Sequence, residues 1–189
     1  MTFKGLTRFG IAGATALLAG SVLLAAEARN GGIVVAPAGP GGAEALALAP
    51  DLSFTNDSSS NFPIRGQNIA DGRIASDRPT AIFFGTSHCW NTNREAERFI
   101  ALYSKAKDTA RFLVVDLEHP SGDQKALVSR FYRGYIPTLA FLDSTGKAVY
   151  NEAGETSGRP GDTARLTEIL ARAQKGADEH GPLGNLTED

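Results

Sequence analysis

The chain reads as an α/β protein in which a central sheet of mixed strand direction is flanked by helices. Three runs rich in branched and aromatic residues, 80–85, 111–117 and 138–142, alternate with helical patterns. The turn sequence Asp143-Ser144-Thr145-Gly146-Lys147 joins the third run to a fourth at 148–151, as in a hairpin. A last amphipathic pattern closes the series. The expected order is therefore strand, helix, strand, helix, strand, hairpin strand, helix.

Residues 69–76 read as a short helix closed by Asp77-Arg78-Pro79, and Thr80-Ala81-Ile82-Phe83-Phe84-Gly85 reads as a fully buried strand. A helix is expected from Cys89 or Trp90. Ala96, Phe99, Ile100, Leu102 and Tyr103 keep the helical period on its inner face, which leaves Arg94, Glu95, Glu97 and Arg98 for the outer one. The second strand, 111–117, is followed by the turn material His119-Pro120-Ser121-Gly122-Asp123. Ser121 or Asp123 is positioned to cap a helix through Ala126, Leu127, Val128 and Phe131 to about Arg133. Pro137 opens the third strand. Asp162 or Thr163 starts the last helix, whose apolar positions are Leu166, Ile169, Leu170 and Ala173.

The 189 residues allow one domain of ordinary size with extensions, and an apolar share of 42% is enough for a core. Nineteen basic and 21 acidic residues leave a net charge of −2 with no basic stripe, which speaks against a nucleic-acid partner. Residues 1–28 read as a signal peptide or membrane anchor. Lys4 and Arg8 precede an apolar run from Phe9 to Ala26, and Ala26 and Ala28 are small residues of the kind signal peptidase reads. A cleaved signal suits the Ala- and Gly-rich run better than a retained anchor. Membrane contact is expected only through this segment if it stays uncleaved, and the remainder is expected to be exported, periplasmic or secreted. Residues 29–66 are a Gly/Pro/Ser-rich linker or lead-in, 67–175 the folded domain, and 176–189 a polar tail expected to be disordered. The tripeptides Asn56-Asp57-Ser58 and Asn185-Leu186-Thr187 match a glycosylation pattern short enough to arise by chance. Three scattered histidines, His88, His119 and His180, do not form a metal motif, and no cofactor is implied.

Cys89 is the only cysteine. It follows a buried strand and stands at a helix start, where unsatisfied amides and the helix dipole favour a thiolate over a thiol. A protonated His88 beside it would add to that effect. One cysteine excludes an internal disulfide framework and a cysteine-rich metal site. On the residues alone Cys89 also reads as a small buried residue without reactivity.

The segment 82–92, the tripeptide Ile136-Pro137-Thr138 and the turn 143–147, taken in that order and spacing, resemble the thioredoxin-like superfamily over residues 80–173. The resemblance implies a thioredoxin-like fold, a nucleophile at Cys89, and a substrate groove formed by Trp90, Ile136 and Pro137. It also implies a cis bond before Pro137, which proline statistics alone would not favour. Ile136 would then offer its backbone to an extended peptide laid beside it. Two departures bear on mechanism. Thr92 occupies the position of the resolving cysteine, and Phe83 that of a buried acid which serves the second thiol. The pattern implies a monothiol or degenerate thiol–disulfide redox protein, with an exported protein or small-thiol substrate and an external reductant. The alternatives are a noncatalytic thioredoxin-fold binding module and, after it, a cysteine peroxidase using Cys-x-x-Thr or Thr-x-x-Cys.

Overall fold

The computed structural model describes residues 35–36, 45–66, 69 and 71–176. The leader expected at 1–28, the rest of the lead-in, and the tail from 177 onward lie outside the described residues. In chain order the elements are β1 (Val35–Ala36), β2 (Ala47–Leu48), β3 (Ile64–Arg65), β4 (Ile74–Ala75) and β5 (Thr80–Gly85). They continue with α1 (Trp90–Ala106), β6 (Arg111–Asp116), α2 (Lys125–Phe131), β7 (Thr138–Leu142), β8 (Ala148–Ala153) and α3 (Ala164–Lys175).

The central sheet has the order β6-β5-β7-β8. β5 runs parallel to β6, from Thr80 opposite Arg111 to Gly85 opposite Asp116, and a parallel pair needs a crossover, which α1 supplies. β7 is antiparallel to both β5 and β8, as a hairpin requires. Every residue of β5 and β7 is buried, so the two inner strands are covered on both faces. Strand alternation then sorts the core into two clusters. Ala81 and Phe83 pack with Phe99 and Leu102 of α1 and with Leu166, Ile169 and Leu170 of α3. Ile82 and Phe84 face the other way, onto Leu127 and Phe131 of α2.

Three sequence expectations are corrected here. The helix expected over 69–76 is not found among the described residues: Ile74 and Ala75 form β4, which pairs in parallel with β1, and the Ala75 amide donates to Thr80 Oγ1 at 3.2 Å. A short apolar run does not distinguish the two states, and the strand pairing that decides lies outside it. Neither Ser121 nor Asp123 caps α2, whose N-cap is Gln124. The buried Gln124 amide instead donates to Val114 O at 2.8 Å and Asp71 O at 3.2 Å, tying the loop at 71 to β6.

The third correction is the largest. The helical period puts Glu95 and Arg98 on the outer face of α1, yet both are fully buried. Arg98 Nη1 lies 2.6 Å from Glu95 Oε2 and 2.9 Å from Glu155 Oε2, and Arg98 Nη2 donates to Arg159 O at 3.1 Å. The amide and hydroxyl of Thr156 donate to Glu95 at 3.1 and 2.6 Å. The segment between β8 and α3 folds across this side of α1 and pairs its charges, which a helical wheel cannot anticipate.

Residues 45–66 of the lead-in also pack on the folded body. β2 and β3 pair in antiparallel fashion, and Phe62 meets Phe83 edge-on at a centroid distance of 6.5 Å. Burial opposes the charge on Asp71, but hydrogen bonds from Arg73 and the nearby Arg111 guanidinium outweigh it and hold the carboxyl below the usual aspartate range. A depressed carboxyl contributes stability at neutral pH that is lost as pH falls through its lowered folded-state titration. Asp71→Asn is therefore expected to cost about 1 kcal/mol at pH 7 and to flatten the acid limb of stability, read from urea midpoints between pH 7 and pH 2.

Candidate functional site at the start of α1

Cys89 is partly exposed and is the N-cap residue of α1, with extended backbone angles (φ −139°, ψ 108°) and no capping hydrogen bond from its own side chain. Its carbonyl accepts the first helical bond from the Asn93 amide at 3.0 Å. His88, exposed just before it, has φ of 53°, a left-handed backbone that reverses the chain between β5 and the helix.

Two carboxylates hold the segment on either side of the cysteine. Glu118, at the end of β6, accepts from the Ser87 hydroxyl at 2.5 Å and the Ser87 amide at 3.1 Å, and these bonds keep its carboxyl below the usual glutamate range. Asp57, from the lead-in, accepts from the Trp90 amide at 2.9 Å. The lead-in holds two further points, with Ser59 O accepting from the His88 amide at 3.1 Å and Asn93 Nδ2 donating to Ser53 O at 2.7 Å and Ser59 Oγ at 3.0 Å. The cap at Asp57 is 33 residues upstream of the amide it serves and has no local signature, unlike an N-cap side chain that sits beside its own helix.

Thr92 stands one helical turn after Cys89 and points inward, fully buried. A methyl placed on Gly85 would meet Thr92 Cγ2 at 2.5 Å and Phe83 Cε1 at 2.8 Å, so these two side chains converge on one glycine in apolar contact. Thr92 Oγ1 has no hydrogen-bond partner among the described residues. A desolvated, unpaired hydroxyl is unfavourable, so Thr92→Val, which keeps the shape, is expected to raise the unfolding free energy by about 1 kcal/mol in urea titration.

Ile136 and Pro137 lie at the same end of the sheet: Thr138 pairs with Phe84, which brings Pro137 level with Gly85 and Ile136 one residue past it, where the loop that carries Cys89 leaves β5. The Ile136–Pro137 peptide is cis. Pro137 is buried and its carbonyl accepts from the Gly154 amide at 2.8 Å, while Ile136 is partly exposed. Tyr135 beside them is 76% exposed, unusual for a large ring. Trp90 is partly exposed, and the Arg94 guanidinium lies over its ring at 5.0 Å. Arg94 is itself paired with Glu155 at 3.0 Å, so Trp90 is joined to the buried charge network. Cys89, Trp90, Ile136 and Pro137 thus share one sheet end, with Thr92 beneath. No group of histidine, cysteine and acidic residues among the described residues is arranged to hold a metal ion.

No protein-family model and no curated protein matches the chain. Among solved structures, the chain is similar to the germline-specific thioredoxin Deadhead of Drosophila melanogaster, with 21% identity over 50% of this chain and 80% of that one, at a TM-score of 0.39. It is similar to Fasciola hepatica thioredoxin, with 19% identity over 52% and 85% of the two chains, at a TM-score of 0.40. It is also similar to a yeast mitochondrial 1-Cys peroxiredoxin, with 16% identity over 50% and 78%, at a TM-score of 0.39. The chain's own topology, a β6-β5-β7-β8 mixed sheet with α1 and α3 on one face and α2 on the other, is a thioredoxin-like fold.

Proposed function

We propose that this is an exported monothiol thiol–disulfide redox protein acting through Cys89. The thiolate attacks a disulfide of an exported protein or a small thiol, forms a mixed disulfide, and releases the other sulfur of the substrate as a thiolate. An external thiol then attacks the mixed disulfide, takes over the bound sulfur and regenerates the Cys89 thiolate. No internal thiol can do this, because the residue one turn on is Thr92 and the chain has no second cysteine. The observation that carries the reading is the setting of Cys89, partly exposed at the N-cap of α1 beside the loop of Ile136 and Pro137. Export rests on the leader pattern in residues 1–28.

One feature favours a second reading, a noncatalytic module that holds a peptide. Tyr135 presents an exposed ring beside Ile136, and such rings are common in binding surfaces. The two readings separate in a trapping experiment. Protein purified without reductant is expected to carry a disulfide-linked protein or small thiol that reductant releases, and Cys89→Ser is expected to carry none. Equal capture of an oxidised substrate by Cys89→Ser rules out the redox reading and leaves the binding module.

A further inference from the structure

Four hydrogen bonds run from residues 88–93 to the 53–59 loop: His88 N to Ser59 O, Trp90 N to Asp57 Oδ1, and Asn93 Nδ2 to both Ser53 O and Ser59 Oγ. They fall on both sides of Cys89. The joint is not a loose surface contact, since Asn93 is fully buried and Ser59 is 3% exposed. The loop is braced from within, with the Ser53 amide donating to Ser59 Oγ at 2.5 Å, the Asn56 amide to Ser53 Oγ at 3.2 Å and the Ser58 amide to Asn56 Oδ1 at 3.0 Å.

The position of Asp57 gives this arrangement a chemical consequence. The first amides of a helix are where a negative sulfur at the N-cap gains its stabilisation. In this chain the first of them, on Trp90, already serves a carboxylate, and Asp57 has no ion pair among the described residues to neutralise it. Asp57 and a Cys89 thiolate compete for the same positive end of α1. His88 and the paired Arg94 are the nearest cationic side chains along the segment, and Glu118 adds a second carboxylate on the Ser87 side.

We propose that Asp57, held at the start of α1 by the 53–59 loop, is an inhibitory carboxylate: it occupies the positive end of the helix and restrains the reactivity of Cys89. Asp57 is thus a positioning and charge-setting residue. The proposal rests on Cys89 being a nucleophile, but its test needs no disulfide partner.

The test is the rate of Cys89 alkylation by neutral iodoacetamide at pH 7 in the full chain. Asn has the shape of Asp and keeps a side-chain oxygen, so Asp57→Asn retains an acceptor for the Trp90 amide while removing the charge. Its expected effect is a rate increase of about 2- to 5-fold at low salt that shrinks in 1 M salt, the size and screening of a charge at an exposed helix end. Asp57→Ser also removes the charge, is expected to raise the rate as well, and serves if Asp57→Asn does not fold. Glu118→Gln removes an equal charge without touching the 53–59 loop and is expected to give a smaller rise. Amide exchange at Ile169 and Leu170 should match wild type, which separates a local charge effect from unfolding. An unchanged rate in both Asp57 variants, or an equal rise in Glu118→Gln, overturns the role of Asp57. The mixed-disulfide reading stands or falls separately on capture by Cys89→Ser.

Discussion

Arg98→Ala is expected to lower the unfolding free energy by about 3–5 kcal/mol, a large part of the stability of a domain this size. The guanidinium is fully buried. Burial works against its charge, yet its bonds to Glu155 and Glu95 outweigh that and bind its proton more tightly than usual. Truncating it leaves Glu95 buried without its cation, and an uncompensated buried charge costs far more than the pair contributes when intact. The loop of residues 154–161 loses its anchor in the same step, because Arg98 also donates to Arg159 O. Urea denaturation at pH 7 measures the loss. Glu95→Leu combined with Arg98→Met removes both charges and should recover part of it, though the Thr156 amide and hydroxyl then lose their acceptor. A cost below about 1 kcal/mol for Arg98→Ala would show that the network is not coupled to the fold.

Phe83 is the second position where one substitution has a large expected effect. Its ring is fully buried, 5.5 Å from Phe99 and 6.5 Å from Phe62 between centroids, and it reaches the space above Gly85 beside Thr92. Phe83→Ala removes these contacts and leaves a cavity under the start of α1, at an expected cost of about 3–5 kcal/mol. Phe83→Asp tests the apolar character of the site directly. It combines the cavity with a carboxylate among aromatic rings, and the expected result is a larger loss than for alanine, with rapid amide exchange throughout α1 and α3. If Phe83→Asp is as stable as Phe83→Ala at pH 7, the pocket under Cys89 is wet, and its description as apolar packing is wrong.

These two positions also mark where sequence reasoning succeeds and where it stops. The resemblance singled out Phe83 and Thr92, and the structure shows their side chains converging on Gly85. β5, β7 and the α1 start were legible because their cues are local, namely continuous apolar runs, the Pro137 punctuation and a helical period. The periodicity on α1 placed Phe99 and Leu102 correctly on the inner face. It failed for Glu95 and Arg98, because a helix can be buried on a second side by a segment about 60 residues away, and charges there survive by pairing. The same limit applies to 53–59. Asn, Asp and Ser in succession speak for a turn, and they say nothing about which helix end the turn will cap.

The amino-acid sequence by itself determined the order of the elements from β5 to α3 and placed Cys89 at the start of α1, because hydrophobic period and breaker residues act over a few neighbours. It also determined that no second thiol can resolve a disulfide within the chain. Only the tertiary structure decided what surrounds that sulfur. Asp57, Ser59 and Glu118 reach the site from 30 or so residues away, and hydrogen bonds of that span depend on how the lead-in packs on α1 and where β6 ends. Chain connectivity carries no signal for such contacts, whereas geometry selects them, since a buried amide or carboxylate must find a partner wherever the fold has brought one within reach.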